Sequence, residues 1–275
     1  VLVIPSAPSL IGACDTPGSA RRITIVGDHA YVADGSAGLT ILDVSDPTAP
    51  TVLASCPGSN SASAVAVSGT YAYVAALPSL GLRIVDISDP TAPFVAGSLN
   101  VGSLGNCIAV SGETAYLGTM TTLSIVDVSD PTSPQQPGVY SLSTRANDVE
   151  VVGSLAYVAN DLSGLRIIDV SNPQAPTLRG SCMNIGYARG VEVEGNLAYV
   201  ACDTAGLQVI DISDPAHPVL LATCDTPGKA QDVAVSGTLA LVADYDAGLQ
   251  VIDISNPSAP ALLESFDTPD FAYGV

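Results

Sequence analysis

One short phrase, repeated at nearly constant spacing, constrains this chain more than any other feature. Asp43-Val44-Ser45-Asp46-Pro47 recurs at 86–90, 127–131, 169–173, 211–215 and 253–257, with Ile in place of Val or Asn in place of the second Asp. The prolines stand at 47, 90, 131, 173, 215 and 257, so the steps are 43, 41, 42, 42 and 42 residues. A second proline follows three positions later each time, at Pro50, Pro93, Pro134, Pro176, Pro218 and Pro260. A period in the range of about 20–50 residues marks a repeat architecture, in which one supersecondary unit stacks on the next.

Each unit reads as four short strands, here named A to D. In the sixth unit, residues 233–235 alternate and end at Ser236-Gly237, and 239–243 form a second strand. Ala247-Gly248 makes a turn before 249–254, a third strand dense in β-branched residues. Ser255-Asn256-Pro257 breaks it, because proline has no N–H to give to a ladder, and 261–266 is the fourth. All runs are too short for helices, and the connections carry Gly, Pro, Asn or Asp. Such a meander cannot bury both faces alone. Blades arranged around an axis solve that problem, and a β-propeller is expected ahead of a β-solenoid.

Composition fits a large core: 47% of residues are hydrophobic and 13% charged, which excludes a disordered chain. The formal net charge is −19, from 27 acids against 8 bases, and Lys229 is the single lysine. Such a surface repels nucleic acid and anionic lipid, and serves first to keep a strand-rich protein soluble. No apolar run approaches the roughly 18 residues of a membrane helix, so direct insertion is not expected. The chain does not begin with Met, which leaves open a longer chain with further domains. Residues 1–275 are read as one propeller domain. The six cysteines form no C-x-x-C pair, and four of them (Cys14, Cys56, Cys182, Cys224) recur at one place in the repeat. Equivalent sites in separate blades lie too far apart to bond, so buried free thiols are expected.

The strand Ile84-Val85-Asp86-Ile87-Ser88-Asp89-Pro90 and its copy at 125–131 resemble the LVIVD repeat family, which is named for such a strand. The match recurs six times and covers nearly the whole chain. The resemblance implies a propeller in an exported, often cell-surface, setting. It brings no catalytic residue set.

The ends are ragged. Strands A to C occur six times, but D occurs seven times, because 8–14 is an extra copy. Pro5-Ser6-Ala7-Pro8 matches 257–260, and Cys14-Asp15-Thr16-Pro17-Gly18 matches 224–228. At the other end Ala272-Tyr273-Gly274-Val275 matches 188–191, where strand A begins. The expectation is an all-β propeller of seven four-stranded blades, the last degenerate and assembled from both ends. Six blades is the alternative. Seven requires 273–275 to make strand contact beside the N-terminal segment.

In an A-B-C-D meander the D–A and B–C connections share one end, around the channel mouth. The scaffold repeats, but the residue two before the first apolar position of strand A varies: Arg21, Ser63, Asn106, Asn147, Arg189, Gln231 and Tyr273. One scaffold presenting varied polar groups is how a binding surface reads, and unconstrained exposed positions vary in the same way. Arg21 and Arg189 carry forks suited to a carboxylate or another anion. Pairing with Asp148, Asp232 or nearby acids is the structural alternative. No cofactor is expected. The nearest approach to a calcium site is Asp244-Tyr245-Asp246, where solvated loop acids are the simpler account. The two histidines, His29 and His217, sit at the end away from the mouth, and no nucleophile elbow or phosphate loop is present. The function expected is a non-enzymatic interaction or structural module of an exported protein, binding a protein or small ligand at the mouth. The alternative is a propeller hydrolase or lyase with acids there.

Overall fold

The computed structural model describes residues 9–56, 58, 61–76 and 81–275. Pro5 to Pro8, half of the N-terminal sequence match, lie outside them. Twenty-four strands form six antiparallel sheets of four, each in the sequential order A-B-C-D. Blade 1 spans 22–56, blade 2 62–99, blade 3 105–141, blade 4 148–182, blade 5 190–224 and blade 6 232–266. None of the described residues is helical, so no helix is long and apolar enough to cross a membrane.

The local causes are those of the repeat. The glycine before strand C takes positive φ, for example 81° at Gly38 and 72° at Gly248, a region that costs other residues energy. After strand C, Asp43 Oδ1 accepts the Ser45 N–H at 2.9 Å, and Asp46 Oδ1 accepts both the N–H and the hydroxyl of Thr48. The same pair of side-chain-capped turns recurs at Asp86 and Asp89 and at Asp127 and Asp130. Each C–D ladder slips by one residue, at Ile41/Leu42 in blade 1 and at the same place in the others. Such a bulge adds right-handed twist, which a blade needs.

Burial lies between blades rather than within them. One cluster joins Tyr199, Leu207 and Val209 of blade 5 to Val233, Val242 and Ile252 of blade 6, and equivalent clusters fill the 1/2, 2/3, 3/4 and 4/5 junctions. Glycines in strand D set the blade spacing. A Cβ at Gly138 or Gly180 would lie 1.9 or 2.2 Å from the carbonyl oxygen of Pro173 or Pro215 in the next blade's turn. Cys14, Cys107, Cys182, Cys202 and Cys224 are free thiols; Cys14 is half-buried, and the other four, like Cys56, are buried.

Seven blades is incorrect: the ring has six. Both end segments dock, but on their own neighbours, and they do not pair into a sheet. Ala272 forms a two-way bridge with Tyr245 of blade 6, as Ala230 does with Asp203. The Val275 N–H reaches Asp232 Oδ2 at 3.3 Å. On the other side, a Cβ at Gly12 would sit 2.2 Å from the Pro47 carbonyl, which is how strand D meets the next turn elsewhere. Gly274 lies beside Arg21 and Arg22, its notional Cβ 3.4 Å from the Arg21 oxygen, with no ladder between them. A sheet needs its middle strands, and the two tails carry only the outermost and innermost pieces.

Candidate functional site

The D–A connections converge on a basin of about 490 Å³ at the channel mouth. All seven variable positions read from the sequence line it, together with Ser19, Ala20, Arg22 and Arg145. Four of the chain's eight cationic side chains therefore meet in one place on a molecule of charge −19. Among the described residues no carboxylate lines the basin.

The lining residues divide by what already holds them. Ser63 is buried, and its hydroxyl meets the Gly105 carbonyl at 2.6 Å, linking blade 2 to blade 3. Asn147 donates to the Ala188 carbonyl at 2.8 Å, linking blade 4 to blade 5. Arg189 binds Asp203 through Nη2 at 3.0 Å and Nε at 3.3 Å, and its guanidinium lies 5.8 Å from the Tyr187 ring centre. Tyr273 stands edge-on to Tyr245, whose ring is stacked on Phe271 at 4.3 Å. Arg21 and Arg145 are exposed, and among the described residues neither meets a carboxylate. Arg145 Nε points at the Met120 sulfur at 3.2 Å.

Arg22, one residue further on, stands across the channel below the basin. It pairs with Asp232 of blade 6 at 2.7 Å and Asp148 of blade 4 at 3.7 Å, and Nη2 reaches the Asn147 carbonyl at 3.4 Å. Burial works against its charge, but Asp148 and Asp232 outweigh that and hold the guanidinium protonated. Asp232 is raised, chiefly by burial and against the pull of Arg22. Deeper still, burial pushes Glu150 up to about 8, with Glu192 adding repulsion, and Glu192 itself to about 7. These acids also tie the innermost strands together. Asp148 accepts the Val191 N–H at 3.0 Å and Glu150 the Val193 N–H at 2.5 Å, one blade on in both cases.

The alternative of pairing with a nearby acid holds for Arg189, which takes Asp203, while Asp148 and Asp232 are taken by Arg22 and leave Arg21 without a carboxylate among the described residues. Arg145 lies outside the variable position and its successor, two residues before Asn147 in the same connection, where the repeat register gives no signal for it. Asp244 is buried, with its carboxylate accepting the Thr226 hydroxyl at 2.7 Å and the Gly228 N–H at 2.8 Å. No group of three or more His, Cys, Asp or Glu among the described residues is placed to share a metal ion. His217 is an exposed turn residue bonded to Asp214.

The LVIVD-repeat profile matches at 17–57, 59–101, 106–141, 144–184, 185–226 and 227–268. The chain belongs to the LVIVD-repeat family. No curated protein matches it in sequence. Among solved structures, this LVIVD-repeat propeller is similar to a periplasmic gluconolactonase from Pseudomonas aeruginosa (TM-score 0.82, 12% identity, 97% of this chain and 90% of that one). It is similar to a functionally unknown protein from Desulfotomaculum acetoxidans (0.78, 16%, 95% and 89%). A putative 6-phosphogluconolactonase from Bacteroides fragilis also matches (0.77, 9%, 93% and 86%). At these identities the likeness establishes the fold alone.

Proposed function

We propose that this propeller is a non-enzymatic binding module that captures an anionic ligand at its D–A mouth. The observation that carries the reading is the pair Arg21 and Arg145: among the described residues, two solvated guanidinium groups without acid partners in a basin that no carboxylate lines. In a chain with more than three acids per base, leaving cations unpaired in one concavity favours an anion there. The family resemblance supports an exported or cell-surface setting, and the net charge supports a partner other than nucleic acid. A ligand that binds only the folded state raises its melting temperature. Millimolar phosphate should therefore raise the melting temperature of the wild type above that in chloride of equal ionic strength. The Arg21→Ala/Arg145→Ala variant should not respond. An equal rise in both proteins removes the reading.

A second reading rests on Glu150 and Glu192, whose raised protonation range near neutrality suits general acid–base work, and on the gluconolactonase named among the similar structures. Arg22 stands between these acids and the basin, which favours binding over turnover. Hydrolysis of gluconolactone above the buffer rate, abolished by Glu150→Gln, would select this reading.

A further inference from the structure

We infer that the anion captured at the mouth is a short hydroxylated dicarboxylate, held at its two ends by Arg21 and Arg145. The inference rests on the anion-binding reading and adds the ligand's shape to it. Arg21 leads into blade 1 and Arg145 into blade 4, and in a ring of six those blades face one another across the axis. The gap between them is short at this level, since the single side chain of Arg22 spans from blade 1 to the Asn147 carbonyl and Asp148 of blade 4. The other two arginines of the basin are already engaged, Arg22 by Asp148 and Asp232, and Arg189 by Asp203. Two forks without a carboxylate partner among the described residues therefore remain, on opposite walls of one cavity, Arg145 having only its Nε turned to the Met120 sulfur. A single small anion would satisfy one and leave the other unpaired. A molecule with a carboxylate at each end satisfies both, because each guanidinium edge matches one carboxylate in a two-point contact.

Two more lining residues narrow the class further. The Asn106 amide nitrogen lies against the Met120 sulfur at 3.8 Å, and the Gln231 amide nitrogen donates to the Lys229 carbonyl at 3.1 Å. Their amide oxygens accept nothing among the described residues. Free acceptors in the same basin as the two cations fit hydroxyl groups on the ligand. The basin volume of about 490 Å³ suits a small molecule and is too restricted for a folded partner's surface loop to fill both ends.

Calorimetric titration of the intact chain with butyrate, succinate, tartrate and inorganic phosphate, at one ionic strength, tests this. Succinate should bind at least about tenfold tighter than butyrate, and tartrate tighter than succinate. Arg21→Ala and Arg145→Ala should each bring succinate down to the butyrate level. Asn106→Ala/Gln231→Ala should erase the preference for tartrate over succinate. Arg21→Lys/Arg145→Lys, which keeps the charge and lacks the fork, guards against misfolding and should show an intermediate loss. Butyrate and succinate binding within twofold of each other, with phosphate still bound, would overturn the dicarboxylate inference and leave the anion site standing. No heat with any of the four would overturn both.

Discussion

At the junction of blades 5 and 6, Val233 of the innermost strand is 4% exposed; its counterpart where blade 6 meets blade 1, Ile23, is 42% exposed. The difference runs through both faces. Tyr199 and Leu207 are sealed against blade 6, whereas Leu241 and Leu249, their equivalents on blade 6, are half-buried. On blade 1, Ala30, Val32 and Leu42 pack with Cys14 of the N-terminal tail, and Gly274 of the C-terminal segment lies beside Arg21 and Arg22 at the inner edge. Between the tails lies a cavity of about 360 Å³ lined by Ile23, Phe271 and Tyr273 among others. The sequence pattern of the two faces is the same at both junctions. Burial comes from mating, so a residue's energetic weight is set by its neighbour blade rather than by its own repeat.

The largest expected effect follows directly. Leu207→Ala, in the sealed 5/6 junction, should lower unfolding free energy by about 2–5 kcal/mol, and Leu249→Ala, in the open seam, by less than half as much in urea titrations. Equal losses would show that the seam is as well packed as the other junctions. Next in size are two clamps of the same design. Asp244 holds Thr226 and Gly228 in the 5/6 junction, and Asp34 holds Thr16, Gly18 and Thr40 at the seam. Asp244→Ala should cost about 1–3 kcal/mol of global stability, because buried donors lose their acceptor. Asp34→Ala should show instead as faster proteolysis within residues 9–20, with a smaller global change. The smallest effect is a pH slope. Glu150 is raised in the fold to about 8 from 4.5, so the folded state binds the extra proton, and stability falls as pH climbs through that interval. The turn acids such as Asp43 and Asp46 are lowered by their hydrogen bonds, so their contribution is lost as pH falls below 3.8. Melting temperature should peak on the acid side of neutrality, and Glu150→Gln should flatten its alkaline decline.

The blade, its turns and the mouth were legible in the sequence because each is written six times. The proline after strand C and the glycine before it act locally, and the D–A position is fixed by counting. Closure was not legible. Sequence matching shows that 8–14 resembles strand D and 272–275 the start of strand A, and residues 9–14 and 272–275 do dock as those pieces do. It cannot show that two outer fragments without middle strands make no sheet, which depends on hydrogen bonding across the seam. The partners of the arginines were equally hidden. Arg21 and Arg22 are adjacent and chemically identical, and only the alternation of strand A decides that Arg22 turns into the channel toward Asp148 and Asp232.

Arg22 bridging blades 1, 4 and 6 beneath the mouth has a kinetic corollary. A ligand bound at the mouth as proposed would cross the field of a chain with net charge −19 on its way in. Attraction begins only at contact range, where the guanidinium groups lie. Screening weakens distant charges before near ones, with a Debye length of about 8 Å at physiological ionic strength. Added salt would lower the outer barrier first, so an anion would arrive faster as salt rises, the reverse of ordinary electrostatic steering.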